Sequence, residues 1–375
     1  MKLLIISHTE HYKSTSGEVV GWGPTITEIN HLTEIFDEIY HCAPLYEDPA
    51  PNSSLPYLSD RIKFVPLKPF GGESLRQKLT VLTTAPYNLN IIKETLKKVD
   101  IFQFRAPTGM GVYVIPWLMY FSGKKGWFKY AGNWNQKKPP LGYAFQRFIL
   151  TKQNSKAVTI NGSWPKQPKH CLTFENPCLD ERELKRGQEI IKNKDYTGKL
   201  NFCFAGRLES AKGVGRILNV FKNIANNKRI GKIHFIGDGP EKGKFIELSK
   251  DINLNIIFHG FLARNKVADI FAECHVFLLP STASEGFPKV IAEAANYGCV
   301  PVVSNVSSIG QYVKDGKNGY IVDVNGKIEH ELKNKLLCLF GNNELKDMAF
   351  EASKFSKLFT FEHYNYRIKN VIINR

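Results

Sequence analysis

The feature of this sequence that most restricts its fold is a regular alternation of short apolar runs with amphipathic segments. The runs begin with KLLIIS at the amino terminus and continue with EIYHCAP, IKFVPL, DIFQFRA, WFKYAGN and KAVTING. Helical patterns, such as the one from Tyr87 to Lys98, lie between them. Because strands that alternate with helices are joined by crossovers, the pattern predicts a parallel sheet covered by helices.

The alternation is interrupted once and then resumes. The strand at HCLTF runs into Asn176-Pro177, where the proline restricts the residue before it to extended conformations. A second series follows, with KLNFCFAGRL, KIHFIGDGP, NIIFHGFL, HVFLLP and CVPVVS. We therefore predict the α/β class, with two Rossmann-like doubly wound domains over residues 1–177 and 178–357. Their strands are expected to end at a central cleft, and a length of 375 residues agrees with two domains.

The chain is strongly basic, with a formal net charge of +16. Residues 1–60 are acidic overall, whereas residues 61–138 hold fourteen Lys or Arg and three Asp or Glu. Such a balance favours partners that carry phosphates, nucleic acid or an anionic membrane surface. Since no nucleic-acid-binding motif is present, we predict no nucleic-acid partner.

The cysteines and the apolar segments indicate where the chain resides. Seven scattered cysteines without a C-x-x-C pair predict free thiols, no zinc site and a reducing cytoplasm. The run from Leu3 to Ile6 is too short for a signal peptide. The longest apolar stretch, residues 109–122, is shorter than a membrane-spanning helix and contains Pro116, so it predicts a buried or interfacial helix. We expect a cytoplasmic protein, with the inner face of the membrane as a candidate location.

Residues 275–304 carry the clearest indication of a ligand site. An apolar strand ends at Pro280, and a polar loop leads from it to Pro288. Proline suits the first position of a helix, and Gly298 suits the position after its end. The segment therefore predicts a strand, a loop and a helix whose amino terminus faces the loop.

Two carboxylates belong to this segment. Glu285, Gly286 and Phe287 lie at the predicted helix start, where free N–H groups and the helix dipole favour a phosphate. Glu293 follows eight positions after Glu285 and can face the same ligand from deeper in the helix. Carboxylates beside a phosphate suit a ligand that also has hydroxyl groups, as sugars and ribose do. An ordinary crossover with two solvated glutamates explains the same pattern.

Two further loops follow strands of the second series. Arg207 and Lys212 could clamp a diphosphate, although two solvated surface cations are the simpler interpretation. Gly237 and Gly239 form a turn that lets a ligand approach the backbone closely. The phosphate-binding loop of nucleotide triphosphatases and the dinucleotide-binding glycine motif are both missing, which argues against those classes.

Taken in order, these segments resemble the retaining nucleotide-sugar glycosyltransferases of family 4, which have the two-domain GT-B architecture. The resemblance covers residues 200–325 through GRLESAKG, FIGDGP, FHGFL, PSTASEGFPKVIAEA, GCVPVVS and DGKNGYIV, and the pair Glu285 and Glu293 is its most specific part. It implies a hexosyltransferase-type enzyme (EC 2.4) that takes a sugar from a nucleoside-diphosphate sugar. The implied acceptor is a glycan or a lipid-linked glycan, the implied setting is bacterial surface polysaccharide assembly, and no metal or other cofactor is required.

The resemblance also implies roles for individual residues. Arg207 and Lys212 would hold the diphosphate and stabilise the leaving nucleotide, and Glu285 would contact the donor sugar. The implied donor-binding residues are Gly237, Gly239, Phe261, Leu262, Gly286, Phe287 and Glu293, with Phe261 and Leu262 against the nucleobase and Glu293 on the ribose hydroxyls.

The first half departs from the family at one point. Where the family often has a histidine after a strand, this sequence reads IFQFRAPTG, with Gln103 and Arg105. Arg105 could reach the cleft or form a structural salt bridge, and the sequence leaves both interpretations open. That departure keeps open a non-catalytic nucleotide- or glycan-binding protein with the same fold. A GT-B phosphorylase or epimerase is a third alternative.

Three features of the first half bear on the acceptor. Gly17, Gly21 and Gly23 enrich a predicted loop after the first strand, which would meet the donor phosphates or the acceptor. His8 and His11 in that loop are expected to be loop or packing residues rather than catalytic groups. Lysines interleave with five aromatic residues, which suits an anionic membrane interface, stacking on sugar rings, or a basic face over an aromatic core: Trp117, Tyr120, Trp127, Tyr130 and Trp134. From the resemblance, residues from about 358 to 375 are expected to pack on the first domain.

Overall fold

The computed structural model describes residues 1–72 and 74–374, which form two compact units. The first unit comprises Met1–Asn176 and Tyr364–Arg375, and the second comprises Pro177–His363. The chain thus leaves the first unit next to the Asn176-Pro177 step and returns to it at Tyr364.

The first unit is built on a parallel sheet of seven strands. Apolar sequences such as KLLII form these strands because both faces of the sheet are covered. The strands are β1 (Lys2–Ile6), β4 (Glu38–Pro44), β6 (Ile62–Leu67), β7 (Ile101–Ala106), β8 (Lys125–Tyr130), β9 (Ala157–Ile160) and β10 (Cys171–Thr173). Their order in the sheet is β10-β9-β8-β7-β1-β4-β6. The helices are α1 (Gly23–Leu32), α2 (Leu75–Thr83), α3 (Ala85–Leu96), α4 (Gly111–Tyr120) and α5 (Leu141–Lys152).

A small antiparallel sheet replaces part of the predicted glycine-rich loop. Its strands are β2 (His11–Lys13), β3 (Val19–Trp22) and β5 (Ser54–Pro56), paired in the order β2-β3-β5. Gly17 turns the hairpin with a φ of 84°, a backbone conformation that glycine adopts without strain. A Cβ on Gly21 would come within 2.6 Å of the His11 ring, and one on Gly23 within 2.7 Å of the Ser53 carbonyl oxygen. These glycines therefore have structural reasons of their own, and their predicted contact with phosphate or acceptor stays a prediction.

Most of the five aromatic residues that interleave with lysines lie in the core. Trp127 is fully buried, and Tyr130 and Trp134 are exposed by only 2% and 8%. Tyr120 alone among the five is strongly exposed, at 72%. The aromatic core was the third of the sequence interpretations, and it accounts for these side chains because strand β8 is covered on both faces.

The second unit contains a parallel sheet of six strands in the order β13-β12-β11-β14-β15-β16. Asp180 and Glu183 form a capping box that begins its first helix. The strands are β11 (Leu200–Ala205), β12 (Ile230–Ile236), β13 (Ile256–Gly260), β14 (Val276–Leu279), β15 (Val300–Ser304) and β16 (Tyr320–Val322). The helices are α6 (Glu181–Asn193), α7 (Val214–Asn223), α8 (Lys242–Lys250), α9 (Arg264–Glu273), α10 (Lys289–Asn296), α11 (Ile309–Tyr312), α12 (Ile328–Phe340) and α13 (Leu345–Ser353). Two parallel α/β sheets confirm the predicted fold class.

Helix α14 (Phe361–Arg367) and the π-helical segment Ile368–Ile373 that follows it bring the end of the chain onto the first unit. Asn365 donates a hydrogen bond of 2.8 Å to the carbonyl oxygen of His31, and Arg367 lies 2.8 Å from a carboxylate oxygen of Glu175. Tyr364 and Ile368 join the apolar core beneath β1. The return therefore begins a few residues later than position 358.

Candidate functional site

The candidate site lies at the carboxyl ends of β11 and β14, which are neighbours in the second sheet. The loops that follow these two strands touch each other. The backbone N–H of Thr282 donates to the carbonyl oxygen of Ala211 at 2.8 Å. A Cβ on Gly213, whose φ is 92°, would come within 2.4 Å of the carbonyl oxygen of Pro280. Only a glycine allows this approach, which brings the two loops into one surface.

Lys212 and Glu285 form an ion pair on that surface. The Lys212 side chain is only 14% exposed, and the Glu285 side chain is 36% exposed. Burial lowers the pKa of Lys212. The negative charge of Glu209 raises this pKa, but its effect is smaller. The structure thus brings together two of the three predicted catalytic residues, and it presents a poorly hydrated ammonium group beside a carboxylate.

Arg207 differs from Lys212 in its surroundings. Its side chain is 67% exposed, and its Nε atom lies 3.4 Å from a carboxylate oxygen of Glu209. An ion pair as exposed as this contributes little to stability. A ligand could therefore reach the Arg207 guanidinium from the solvent without breaking a strong interaction.

Sequence reasoning missed the residue that fixes the loop between β11 and α7. Glu241, just before α8, accepts hydrogen bonds from the backbone N–H and the hydroxyl of Ser210, at 2.7 and 2.5 Å. These bonds, the hydroxyl bond first, lower the pKa of Glu241 to about 2. The carboxylate thus holds the short turn that carries Lys212. The run of charges in PEKGK offered no signal for this contact.

Gly237 and Gly239 lie beside the same loop because β12 is the other neighbour of β11. A Cβ on Gly237 would come within 2.0 Å of the carbonyl oxygen of Gly206, and one on Gly239 within 2.4 Å of that of Leu208. The Leu208 N–H also donates to the carbonyl oxygen of Asp238 at 2.9 Å. The two turns therefore pack backbone against backbone, a sufficient reason for both glycines. Their contact with a donor stays a prediction.

Helix α10 begins one residue later than the sequence predicts. Pro288 is the residue before the helix rather than its first residue. The buried Phe287 ring stacks on Phe359, with 4.6 Å between the ring centres, and this contact anchors the loop before the helix. The carbonyl oxygen of the buried Gly286 accepts a hydrogen bond of 3.4 Å from Ser308.

Glu293, on α10, is held by an arginine that sequence reasoning overlooked. Arg264, the first residue of α9, lies 3.1 Å from Glu293 and 2.6 Å from Glu183. Its guanidinium also donates to the carbonyl oxygen of Cys178. The only sequence clue is that Arg264 follows Phe261-Leu262 closely. The arrangement fixes one side of the Glu293 carboxylate, whose side chain keeps 24% of its surface exposed.

The end of β13 adds an aromatic surface. Phe261 is 48% exposed directly after this strand, whereas Leu262 is partly buried against the core. An exposed phenyl ring offers a flat face for stacking, and Leu262 supports the turn from beneath. These two residues therefore differ in what they can offer a planar ligand.

The first unit buries a separate charged cluster. Arg105 and Lys129, paired across β7 and β8, both contact the same carboxylate oxygen of Glu28 on α1. Lys129 lies 2.5 Å from that oxygen, and Arg105 also donates to Gln103 at 3.2 Å. All three charged residues are exposed by less than a tenth. Arg105 is therefore a structural ion-pair partner, one of the two interpretations that the sequence left open.

His11 is a packing residue, as expected from the sequence. Its ring nitrogens lie 2.8 Å from the Thr9 carbonyl oxygen and 2.8 Å from the Tyr57 hydroxyl. Burial lowers the pKa of His11 to about 4, so the ring is neutral near neutral pH. His8, two residues after β1, is an exposed loop residue.

Two features of the described residues concern metal ions and membranes. Within residues 1–72 and 74–374, no three His, Cys, Asp or Glu side chains are grouped so that they could hold a metal ion. In the same part of the chain, every helix is too short or too polar to cross a membrane.

The fold is that of the GT-B glycosyltransferases. The chain aligns over 100% of its length with 100% of Anabaena Alr3699/HepE in complex with UDP and glucose, with a TM-score of 0.70 and 15% identity. It covers 98% of sucrose-phosphate synthase from Thermosynechococcus elongatus, with a TM-score of 0.72 and 14% identity. WaaG, a glycosyltransferase involved in lipopolysaccharide biosynthesis, aligns with a TM-score of 0.67, 14% identity and coverage of 99% of this chain and 100% of that one. Identities this low establish the fold alone.

The family-model match lies within the second unit. Residues 185–354 match the family model of glycosyl transferases group 1, which confirms the resemblance found in the sequence. An uncharacterized glycosyltransferase of Methanocaldococcus jannaschii is 32% identical over 178 residues, which are 47% of this chain and 48% of that protein. The amylovoran biosynthesis glycosyltransferase AmsD of Erwinia amylovora is 29% identical over 184 residues, 48% of this chain and 49% of AmsD. The matched region spans about half the length of these curated relatives.

Proposed function

We propose that this protein is a retaining glycosyltransferase that moves a sugar from a nucleoside-diphosphate sugar to a glycan or lipid-linked acceptor. The observation that carries the proposal is the pair of Lys212 and Glu285, on touching loops at the ends of adjacent strands. A largely buried ammonium group and a carboxylate beside the start of α10 suit a ligand that combines a diphosphate with a sugar.

The chemistry of sugar transfer explains the cation. The bond between the anomeric carbon and the phosphate oxygen breaks through an oxocarbenium-like state, and negative charge develops on the leaving diphosphate. Lys212 is placed to neutralise that charge where water is largely excluded, and the exposed Arg207 can close on the outer oxygens. Glu285, which pairs with Lys212 before the donor binds, is then released to the sugar hydroxyls.

Donor binding needs contacts beyond the diphosphate. One side of the Glu293 carboxylate is bound by Arg264, and the other can accept hydrogen bonds from ribose hydroxyls. Phe261 offers an exposed ring for the base. Since Anabaena HepE has been solved with UDP and with UDP-glucose, uridine donors are the first to test. No metal is required for this arrangement, because the cations are side chains.

Retention is proposed to proceed on one face of the donor sugar. The acceptor hydroxyl forms the new bond to the anomeric carbon while the bond to the phosphate oxygen breaks. The acceptor proton passes to the leaving phosphate. This route asks the protein for charge neutralisation and positioning rather than for a base, and it therefore agrees with a structural role for Arg105.

The setting is proposed from the names of the relatives. AmsD acts in amylovoran biosynthesis, and another relative is the lipopolysaccharide 1,6-galactosyltransferase of Salmonella typhimurium, 29% identical over 128 residues. We therefore propose a role in bacterial surface polysaccharide assembly, in the cytoplasm at the inner face of the membrane.

Release of UDP from UDP-glucose, UDP-galactose and UDP-N-acetylglucosamine tests the proposal. Hydrolysis or transfer by the purified chain, abolished by Lys212→Ala and by Glu293→Ala, would support it. Lys222→Ala is the matched control, because that lysine is exposed on α7 and lies 3.9 Å from its partner Asp251. UDP binding without turnover of any of these or of GDP and ADP sugars, with or without a glycan acceptor, would instead identify a non-catalytic binding protein.

A further inference from the structure

Helix α5 of the first unit exposes apolar residues along one stripe. Leu141, Phe145 and Phe148 follow one another at helical spacing and are 90%, 44% and 61% exposed. Gln146 and Leu150 are buried on the opposite side of the helix. A surface helix normally presents polar residues to water. The stability of the fold therefore does not explain why these three large apolar side chains are exposed.

Basic residues surround the stripe. Lys137 and Lys138 are exposed just before α5, and the exposed Lys152 continues the stripe by one further turn. From residue 101 to residue 174 the chain has eleven Lys or Arg and no Asp or Glu. Although Arg105 and Lys129 of this range are buried on Glu28, the surface at α5 combines large apolar side chains with exposed lysines.

Helix α2 borders the same region and repeats the combination. Leu79 and Leu82 are 61% and 62% exposed, and Arg76 and Lys78 beside them are exposed as well. Val81 of α2 lies against Gly109, two residues before Gly111, which contacts Gln146 of α5. The two helices thus flank the turn that leads into α4.

We infer that the exposed faces of α2 and α5, together the docking patch, bind the surface of an anionic membrane. Apolar side chains that enter the headgroup region, flanked by lysines that meet anionic lipids, are the features of a helix lying in the interface. A second copy of the chain would bring like charges together, which disfavours a dimer at this face. The contact lies on α2 and α5 rather than on Trp127, Tyr130 and Trp134, which are buried.

The inference deepens the proposed function, because a lipid-linked acceptor is presented at such a surface. Binding to vesicles requires neither donor nor acceptor, so the two proposals can fail separately. A wild-type chain that transfers sugar to a soluble acceptor but does not bind anionic vesicles would overturn the docking patch alone. Vesicle binding without any turnover would overturn the proposed enzyme and leave the docking patch standing.

Co-sedimentation of the full chain with vesicles tests the docking patch. Vesicles of equimolar phosphatidylglycerol and phosphatidylcholine are expected to bind the protein, and vesicles of phosphatidylcholine alone are expected to bind it at least about tenfold more weakly. The double variant Phe145→Ser, Phe148→Ser is expected to lower the partition coefficient by about tenfold or more. Phe350→Ser, at a residue 52% exposed in the second unit, is the matched control and should bind as the wild type does.

Charge reversal separates the electrostatic part. The double variant Lys137→Glu, Lys138→Glu is expected to lose most binding to anionic vesicles, and the loss should grow at low salt, where screening is weak. Unchanged binding by both double variants would overturn the inference. So would a wild-type dimer that dissociates on Phe145→Ser, Phe148→Ser, because the stripe would then be a protein interface.

Discussion

Arg264 lies 3.1 Å from Glu293 and holds this carboxylate on the surface where the second unit is proposed to bind its donor. The same guanidinium contacts Glu183 on α6 and the backbone at Cys178. The two acidic neighbours raise the pKa of Arg264 although burial acts in the opposite direction, so the side chain stays charged. In the proposed donor complex, Arg264 would therefore act through Glu293, as a positioning residue.

The variant Arg264→Ala is expected to weaken UDP binding by about tenfold, because Glu293 loses the partner that fixes its orientation. Since the side chain is 43% exposed, the stability cost is expected to be only about 1 kcal/mol. Isothermal titration with UDP and urea unfolding measure the two effects. Arg186→Ala, which removes an exposed ion pair to Asp269, is the control and should leave UDP affinity unchanged. Equal affinities for wild type and Arg264→Ala would contradict the positioning role.

The pH dependence of donor binding is expected to follow Lys212. Only its protonated form attracts a diphosphate, and burial lowers its pKa below the ordinary 10.5 of lysine. UDP affinity should therefore fall as the pH rises, beginning below the pH at which an exposed lysine would lose its proton. Titration with UDP at increasing pH measures the decline. In Lys212→Arg the guanidinium keeps its charge, so the decline should be absent in this pH range. If UDP affinity declined with rising pH in Lys212→Arg as it does in the wild type, the decline would have to come from another titratable group.

Much of the fold could be predicted because each buried strand leaves a continuous apolar run in the sequence. KLLII and VFLL are visible without any partner, since both faces of their sheets are covered. The hairpin of β2 and β3 could not be predicted in this way. Its strands are short, Gly21 interrupts the second, and their shape depends on β5 more than thirty residues later.

The contacts of the candidate site could also be predicted only in part from the sequence. Lys212 and Glu285 could be placed together, because loops at the carboxyl ends of parallel strands share one edge of the sheet. The partners of Glu293 and Ser210 could not, because Arg264 and Glu241 are separated from them by 29 and 31 residues and carry no local pattern. The sequence also left open whether Trp127, Tyr130 and Trp134 lie at the surface or in the core, since lysines beside an aromatic residue do not reveal which way its side chain points.

The charged cluster of the first unit is expected to be critical for stability. The variant Glu28→Gln removes the carboxylate that Arg105 and Lys129 share, and both cations are buried. Removing one partner of a buried ion pair typically costs about 3–5 kcal/mol. Urea unfolding followed by tryptophan fluorescence should show the loss. Glu18→Gln, at an exposed position of the hairpin, is expected to be neutral. A loss below about 1 kcal/mol for Glu28→Gln would mean that the cations find water or other acceptors.

The packing of the two turns beside Lys212 predicts an effect on both stability and binding. Gly237 has a φ of 122°, and an alanine Cβ there would lie 2.0 Å from the carbonyl oxygen of Gly206. Gly237→Ala must therefore move the loop after β11, at an expected cost of about 1–3 kcal/mol. UDP affinity should fall as well, because that loop carries Arg207 and Lys212. Gly243→Ala is the matched control, since nothing lies within 4 Å of the added methyl group and α8 should be stabilised by up to about 1 kcal/mol. If Gly237→Ala lowered stability but left UDP affinity intact, the loop after β11 would not contribute to the donor site.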